Sequence, residues 1–227
     1  EFLVLHTSKK IGVAQIGSKH GHAISVLSTI INNPRVNFIG LYEPDFKRRN
    51  ELKKDNNFPF NKIRFIDEEE RIYDDDVLAI ASEGSNKESL FHTYNALKNG
   101  KHVFYDKPAG EDIKLFTEVV DLAKKSNLHL QLGYMFRYHQ GFKKIIDLIK
   151  SGKIGNIFSI RAHMSTSIKS EMMKQISPHK GGIFYDLAGH MIDQIVFMIG
   201  EPKKITSFIR KDFSEIDNLV IFEYKNC

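Results

Sequence analysis

Short apolar segments alternate with amphipathic segments along the first 135 residues of the chain. The apolar segments have the length of buried strands, and the segments between them place apolar residues at helical spacing. This alternation predicts repeated βαβ units, which form a doubly wound parallel sheet with helices on both faces and a ligand crevice at the carboxyl ends of the strands. The predicted strands are "IGVAQIG" (11–17), "VNFIGLY" (36–42), "IRFI" (63–66), "VLAIA" (77–81), "KHVFYD" (101–106) and "LHLQLGY" (128–134). We therefore predict one α/β domain over residues 1–135.

The pattern changes after residue 135. A helix over "GFKKIIDLIKSG" (141–152) precedes a long strand pattern, "NIFSIRAHMSTSI" (156–168), and a very apolar helix, "IFYDLAGHMIDQIVFMIG" (183–200). Two more strands are predicted over "KKITSFIR" (203–210) and "NLVIFEYKN" (218–226). Long strands without intervening helices favour an antiparallel sheet. Residues 136–227 are therefore predicted to form an α+β domain with an open, mainly antiparallel sheet.

Composition narrows the classes of function. Hydrophobic residues make up 41% and charged residues 27% of the chain, as in ordinary globular domains. The formal charge is only +5 and no nucleic-acid-binding motif accompanies it, so nucleic acid is not an expected partner. No apolar run is long enough to predict a spanning helix, so a membrane is not expected either. The single cysteine, Cys227, excludes an internal disulfide framework and favours a reducing, cytoplasmic location.

The loop "GSKHGHA" (17–23) follows the first predicted strand and precedes the first helix. Gly17 and Gly21 suit a tight turn, and backbone amides at the helix start favour an anion such as a pyrophosphate. An acid at the end of the second strand, Glu43, is placed to accept hydrogen bonds from a ribose 2′-hydroxyl and to repel a 2′-phosphate. A dinucleotide site is predicted by this order of elements, in which a strand, a glycine loop, a helix and a second strand are followed by an acid.

Two other interpretations of this loop stay open. Lys19 and His22 stand where a dinucleotide loop has its second and third glycines, so the segment could be a tight turn in a phosphate-free domain. His20 and His22 form a His-x-His pair, but two ligands without a nearby carboxylate or cysteine do not make a metal site. The sequence therefore predicts no metal site. We expect the charge of Lys19 to offset the missing glycine and to bind the pyrophosphate.

Two further segments carry candidate chemistry. In "YDKPAG" (105–110) a lysine, Lys107, follows the fifth strand and arrives at the predicted crevice, where partial desolvation would suit proton transfer; a surface lysine in a turn is the plainer alternative. On the apolar helix, Asp186, His190 and Asp193 share one face. His190 with Asp186 nearby predicts a general base and the partner that orients it, while a polar stripe on a core helix is the alternative.

Together these segments resemble the glucose–fructose oxidoreductase / inositol dehydrogenase / rhizopine catabolism (Gfo/Idh/MocA) family. The resemblance rests on the "DKP" after the fifth strand, the "GG…D-x-x-x-H-x-x-D" helix and the link "GYMFRYHQGFKKIIDLIKSGKIGNI" (133–157), and it spans nearly the whole chain. It implies a Rossmann-like first domain and an NAD-dependent oxidoreductase, with NADP the less favoured cofactor. The implied substrate is a small-molecule carbohydrate, oxidised or reduced at a hydroxyl carbon. It also implies a homo-oligomer formed through the C-terminal sheet.

The resemblance also assigns roles to individual residues. It implies Lys107, Asp186 and His190 as catalytic residues, with His190 taking the hydroxyl proton, and it implies Arg137, Tyr138 and Asp186 as substrate-binding residues. The residues that it implies for cofactor binding are Gly17, Lys19, His20, Gly21, Glu43, Ser82 and Lys107.

The chain departs from the family pattern in two ways. Its phosphate loop lacks two glycines, and family members usually continue for roughly 100 residues beyond its last strand, so the second domain is expected to be incomplete. These departures leave a non-catalytic sensor of nicotinamide or sugar as the alternative to an enzyme.

Overall fold

The computed structural model describes residues 9–165, 167, 181–209 and 218–225. Cys227 lies outside them. The chain divides into two compact units, Glu1–Gly133 and Tyr134–Cys227.

The first unit contains the predicted doubly wound sheet. Its six strands pair in the order β3-β2-β1-β4-β5-β6, and every neighbouring pair is parallel. The strands are β1 (Ile11–Ile16), β2 (Val36–Tyr42), β3 (Phe65–Ile66), β4 (Ala79–Ser82), β5 (His102–Tyr105) and β6 (Leu130–Leu132). The helices are α1 (Ala23–Asn32), α2 (Phe46–Lys53), α3 (Ser89–Lys98) and α4 (Ile113–Lys125). This strand order is that of a Rossmann fold, so the predicted fold class is confirmed.

Burial explains why the central strands carry so few polar residues. The inner positions of β1, β4 and β5 belong to one apolar core, which also takes in residues from α3 and α4. Strands that are covered on both faces have nearly continuous apolar sequences, and "IGVAQI" is one of them. The sequence order reverses at β1, which lies between β2 and β4. In such sheets ligands bind at this reversal, beyond the carboxyl ends of the strands.

Among its described residues, the second unit has two α-helices and a small antiparallel sheet. A short 3-10 helix, Met135–Tyr138, leads into α5 (Gln140–Lys150), and α6 (Gly182–Ile199) follows. Strands β7 (Lys204–Ile209) and β8 (Asn218–Glu223) pair antiparallel. Within the described residues, no helix is both long and apolar enough to cross a membrane.

One predicted strand does not form within the residues that the structure describes. Residues 156–165 and 167, which carry most of the alternating pattern "NIFSIRAHMSTSI", form no strand in the described part of the chain. A strand needs a partner that satisfies its backbone N–H and C=O groups, and no described segment pairs with this one. Alternation of apolar and polar residues was therefore not sufficient to predict a strand here.

Candidate functional site

Four strands of the first unit end in register and bring their following residues into one row. Ile16 of β1 pairs with Tyr42 of β2 and with Ser82 of β4, and Ser82 pairs in turn with Tyr105 of β5. The residues directly after these strands are Gly17, Glu43, Glu83 and Asp106. The sheet therefore places one glycine and three carboxylates along its carboxyl edge, at the reversal of strand order.

The loop between β1 and α1 requires a glycine at its first position. Gly17 has a φ of +80°, and a Cβ at this residue would lie 2.6 Å from the backbone nitrogen of Gly84. Its N–H donates to the Tyr42 carbonyl oxygen at 2.8 Å, and the N–H of His20 donates to the Glu83 carbonyl oxygen at 3.1 Å. The loop is therefore tied to both β2 and β4.

Gly21 borders open space, since a Cβ built there would meet nothing within 4 Å. The adjacent N-terminus of α1 has no acidic residue in its first turn and no side-chain cap among the described residues. Amides at an uncapped helix N-terminus are a ready site for an anion. This part of the loop fits a pyrophosphate, even though lysine and histidine replace two of the expected glycines.

Glu43 is buried and holds the loop from the end of β2. Its carboxylate accepts one hydrogen bond from the Ser18 hydroxyl and another from the Asp45 N–H at 3.0 Å. The Arg48 guanidinium donates to the Ser18 hydroxyl at 2.7 Å and to the Ser18 carbonyl oxygen at 2.8 Å. Glu43 is therefore at the predicted strand end, within a network whose other members the sequence interpretation did not include.

The Lys19 ammonium group is engaged by two carboxylates. It lies 2.9 Å from Glu88 Oε1 and 3.4 Å from Asp45 Oδ2. The hydrogen bond that Lys19 donates to Glu88 is the main reason that the pKa of Lys19 is raised. Lys19 can reach a phosphate only by exchanging one of these ion pairs, which are partly exposed and therefore weak.

Lys107 is buried at the end of β5, only 5% exposed. Its N–H donates to Asp106 Oδ1 at 2.7 Å, and its carbonyl oxygen accepts from His20 Nε2 at 3.0 Å. The loop after β1, which contains His20, and the loop after β5, which contains Lys107, thus contact each other through a hydrogen bond. Ser82, another predicted cofactor contact, is fully buried, and its hydroxyl donates to the Ser89 carbonyl oxygen at 3.1 Å.

The carboxylates at this edge differ in protonation. Burial and the nearby charge of Asp106 raise the pKa of Glu83 to about 9. Burial opposes the ionisation of Asp106, but the hydrogen bond from His22 and the electrostatic interaction with both histidines hold its pKa below the usual value. Burial also lowers the pKa of His20. Near neutral pH the edge therefore carries a protonated Glu83 beside an ionised Asp106.

The second unit holds the other predicted residues. Asp186 and His190 are buried on one face of α6, and the rings of Tyr134 and Phe136 contact His190, with centroids 6.0 Å and 5.0 Å away. The third polar residue of this face, Asp193, accepts two parallel hydrogen bonds from Arg137, from Nε at 2.8 Å and from Nη2 at 2.6 Å.

Arg137 and Tyr138, which the sequence predicts as substrate-binding residues, have different surroundings. Arg137 also lies over the Phe197 ring, 4.7 Å from its centroid, so its guanidinium is held in place from two sides. Tyr138 is exposed, with the Lys143 ammonium 5.7 Å from the centroid of its ring.

An open apolar cavity of about 650 Å³ also lies in the second unit. Residues 158–164, the apolar side of α6 and strand β8 line it, while Asp186 and His190 do not. The cavity is therefore separate from the polar face of the helix.

Sequence interpretation missed Ser18, Arg48, Glu83, Glu88 and Asp106 as members of the site. A signal for two of them was present: Glu83 and Asp106 directly follow strands β4 and β5, as Gly17 and Glu43 follow β1 and β2. Position immediately after a parallel strand is sufficient to place a side chain at the carboxyl edge.

Comparison with known proteins agrees with this architecture. Residues 11–134 match the model of an oxidoreductase family with an NAD-binding Rossmann fold, and residues 142–225 match the GFO/IDH/MocA C-terminal domain. Glucose-6-phosphate 3-dehydrogenase of Bacillus subtilis (strain 168) is 26% identical over 209 residues, which is 89% of this chain and 57% of that enzyme.

Solved structures show the same fold. An NAD-binding protein from Listeria innocua superposes with a TM-score of 0.75 at 20% identity, covering 95% of this chain and 62% of that one. GenD2 from gentamicin A biosynthesis, solved in complex with NAD, superposes with a TM-score of 0.77 at 17% identity, covering 97% of this chain and 64% of that one. In all three comparisons the chain spans less than two thirds of the relative's own length. With the first family model alone matching more than half of its residues, the chain belongs to the Gfo/Idh/MocA family of NAD-binding oxidoreductases.

Proposed function

We propose that the protein is an NAD-dependent oxidoreductase that acts on a hydroxyl-bearing carbon of a sugar, a polyol or a related carbohydrate. The observation that carries this proposal is the position of Lys107. A buried lysine lies at the carboxyl end of β5 of an NAD-binding fold, and its carbonyl oxygen accepts a hydrogen bond from His20 of the loop that we propose to bind the pyrophosphate. When bound, the nicotinamide supplies the hydride chemistry, and the chain supplies binding, orientation and proton transfer.

The cofactor is proposed to lie along the carboxyl edge of the sheet. Its pyrophosphate would be held by the amides near Gly21 and the start of α1, with Lys19 reaching it after leaving Glu88. Glu43 lies at the end of β2, where an acid favours a ribose 2′-hydroxyl over a 2′-phosphate. NADH is therefore expected to bind more tightly than NADPH, and replacing Glu43 by Gln should reduce that preference. Equal affinities in the native protein would contradict the choice of NAD.

Roles in the reaction are proposed for individual residues. Lys107 is proposed to polarise the reacting oxygen of the substrate, because an ammonium group with little water around it interacts strongly with a developing alkoxide. His190 is proposed to take or return the hydroxyl proton. Asp186 would orient the substrate, and Arg137 and Tyr138 are proposed as further substrate contacts.

A carbohydrate substrate is favoured by the family and by the name of the Bacillus subtilis relative, a glucose-6-phosphate 3-dehydrogenase. The test is a screen of polyols, sugars and sugar phosphates with NAD, following NADH formation, for the native protein and for the Lys107→Ala and His190→Ala variants. We expect both variants to bind the cofactor and to lose turnover. Unchanged turnover would remove the assignment, and cofactor binding without any turnover would favour a sensor.

Lys101 offers a matched control for Lys107. It is also a buried lysine of the β5 region, but it precedes the strand, and its ammonium group donates to the carbonyl oxygens of Asp74 and Val77 at 2.9 Å and 2.8 Å. Lys101→Met should lower stability and leave the turnover of the folded protein unchanged. If both lysine variants lost turnover equally, the effect of Lys107→Ala would be structural.

The second unit is proposed to form a homo-oligomer through its sheet, in a protein of the reducing cytoplasm. On one face of β7 and β8, the apolar residues Phe208, Leu219 and Ile221 are exposed, and an apolar sheet face of this kind suits a partner surface. Light scattering coupled to size exclusion tests this, with a Leu219→Lys variant expected to shift the protein towards the monomer.

A further inference from the structure

Two histidines and two carboxylates converge at the carboxyl edge of the sheet, from the loops after β1, β4 and β5. They are His20, His22, Glu83 and Asp106, which we call the His–carboxylate cluster. His20 Nδ1 lies 3.5 Å from Asp106 Oδ2 and 3.6 Å from Glu83 Oε2, and His22 Nδ1 lies 2.8 Å from Asp106 Oδ2. One ligand atom each from His20, His22 and Asp106 lies within 4.8 Å of the others. The premise that no carboxylate lies near the two histidines therefore does not hold.

The hydrogen bonds of His20 set which of its nitrogens carries a lone pair. Nε2 donates to the carbonyl oxygen of Lys107 at 3.0 Å, so in the neutral ring Nδ1 is the unprotonated nitrogen. That lone pair accepts a long bond of 3.2 Å from the His22 N–H and otherwise faces the two carboxylates. A histidine whose outer N–H donates to a backbone carbonyl is the usual arrangement of a metal ligand.

Glu83 is the second, independent observation. Its side chain is fully buried, and neither carboxylate oxygen has a hydrogen-bond partner within the described part of the chain. A buried carboxylate without donors is costly in its ionised form, and either a proton or a metal cation can neutralise it. Its Oε2 lies 3.6 Å from His20 Nδ1, and Asp106 Oδ2 lies 3.5 Å from the same nitrogen. A bound cation would displace the proton that Glu83 carries near neutral pH.

We propose that the His–carboxylate cluster binds one divalent transition-metal ion, with Zn²⁺ the best match. Imidazole nitrogens and carboxylate oxygens are ligands that Zn²⁺ takes in tetrahedral sites. With metal–ligand bonds of about 2.0–2.1 Å, ligand atoms in such a site are roughly 3.3 Å apart. The two separations from His20 Nδ1 are close to this value. The distance between His22 Nδ1 and Asp106 Oδ2 would lengthen by about half an ångström. The backbone N–H of His22 would no longer donate to His20 Nδ1.

The ion would have a structural role. Ligand atoms of His20, His22 and Asp106 lie close together, and Glu83 would move towards them as the fourth ligand. A tetrahedral ion with four protein ligands has no open position, which distinguishes structural from catalytic zinc. It would join the loops after three strands and fix the phosphate loop against β4 and β5. This inference is independent of the proposed reaction, since it needs neither a nicotinamide nor a carbohydrate.

The test uses the full chain without an affinity tag, treated with EDTA and then dialysed free of it. Co²⁺ is added as a spectroscopic probe, and Zn²⁺ binding is measured by calorimetry. We expect one ion per chain, intense visible absorption of tetrahedral Co²⁺ that Zn²⁺ abolishes, and a higher midpoint of thermal unfolding with Zn²⁺. His22→Ala and Glu83→Gln should each weaken Zn²⁺ binding at least tenfold. His22 is 44% exposed at its side chain, so its variant should keep the fold, which far-UV circular dichroism checks.

A second histidine pair provides the matched control. The rings of His102 and His129 are also 5.0 Å apart, like those of His20 and His22, but no carboxylate joins them in a metal-binding group within the described residues. His129→Ala should leave the affinity and the Co²⁺ spectrum unchanged. The proposal is overturned if no saturable binding occurs below 100 µM Zn²⁺ (about −5.5 kcal/mol), if His22→Ala and Glu83→Gln bind like the native protein, or if His129→Ala abolishes binding.

Discussion

Replacing Glu83 by Gln tests the electrostatics of the carboxyl edge. The native side chain is fully buried without a hydrogen-bond donor among the described residues, and its pKa is raised to about 9 from an ordinary 4.5. Gln has the shape of the protonated acid but does not titrate. The substitution therefore removes the ionisation while it preserves the packing at the end of β4.

The sign of the effect follows from the two pKa values. Since the folded protein holds the proton of Glu83 more tightly than the unfolded chain does, folding takes up a proton between pH 4.5 and about 9. Stability that is present below pH 4.5 is therefore lost as the pH rises towards 9, at up to about 1.4 kcal/mol per pH unit. At pH 8 the full loss would be about 5 kcal/mol, and relaxation around the carboxylate reduces it, so we expect roughly 2–4 kcal/mol.

The assay is urea unfolding in EDTA, which keeps metal ions out, at pH 5.5 and pH 8. The chain has no tryptophan, so far-UV circular dichroism reports the transition. Glu83→Gln should be more stable than the native protein at pH 8, and the difference in stability should be much smaller at pH 5.5. Glu88→Gln is the control, because Glu88 belongs to the same loop but its pKa is lowered and it titrates below this range. A Glu83→Gln variant with the native pH slope, or one less stable at pH 8, would refute the reasoning.

Three further predictions concern neighbouring contacts. Gly17→Ala forces a side chain into a left-handed backbone conformation and against the Gly84 backbone, so it should lower the unfolding free energy by about 2–4 kcal/mol in urea unfolding, while an unchanged midpoint would contradict the turn. Lys19→Ala removes only partly exposed ion pairs, so stability should change by less than about 1 kcal/mol. If Lys19 leaves Glu88 to bind the pyrophosphate, the same variant should weaken NADH binding about tenfold, and native affinity would reject that role. Arg137→Ala combined with Asp193→Asn in a double-mutant cycle should give a coupling of about 1–3 kcal/mol for the bidentate pair, and additive effects would show that the pair contributes nothing.

The parallel sheet explains why much of the candidate site could be predicted from the sequence. Gly17, Glu43 and Lys107 were identified as residues at or near strand ends, and the register of β1, β2, β4 and β5 places those ends in one row. Adjacency of strand ends is a property of every parallel sheet and needs no knowledge of side-chain packing. The apolar runs likewise predicted the six strands, because buried strands exclude polar residues.

Contacts between distant segments could not be predicted in this way. Lys19 was expected to be available to a phosphate, but Glu88 holds it from 69 positions further along the chain. His22 was interpreted as a substitution for a glycine and as half of a His-x-His pair without a nearby carboxylate, whereas its ring hydrogen-bonds to Asp106, 84 positions away. The strand expected over 156–168 failed for the same reason: its formation depends on a partner segment, which the local pattern does not specify.

The most direct test of the central claim, that the carboxyl edge of the sheet binds a nicotinamide dinucleotide, is a fluorescence titration of NADH into the native protein and Gly21→Ala. A Cβ at Gly21 meets no protein atom within 4 Å, so the variant should unfold at the native urea concentration. The same Cβ would occupy the space assigned to the pyrophosphate, so NADH affinity should fall at least tenfold. Saturable NADH binding that Gly21→Ala leaves unchanged would contradict the proposed site, and no binding to the native protein would contradict the claim itself.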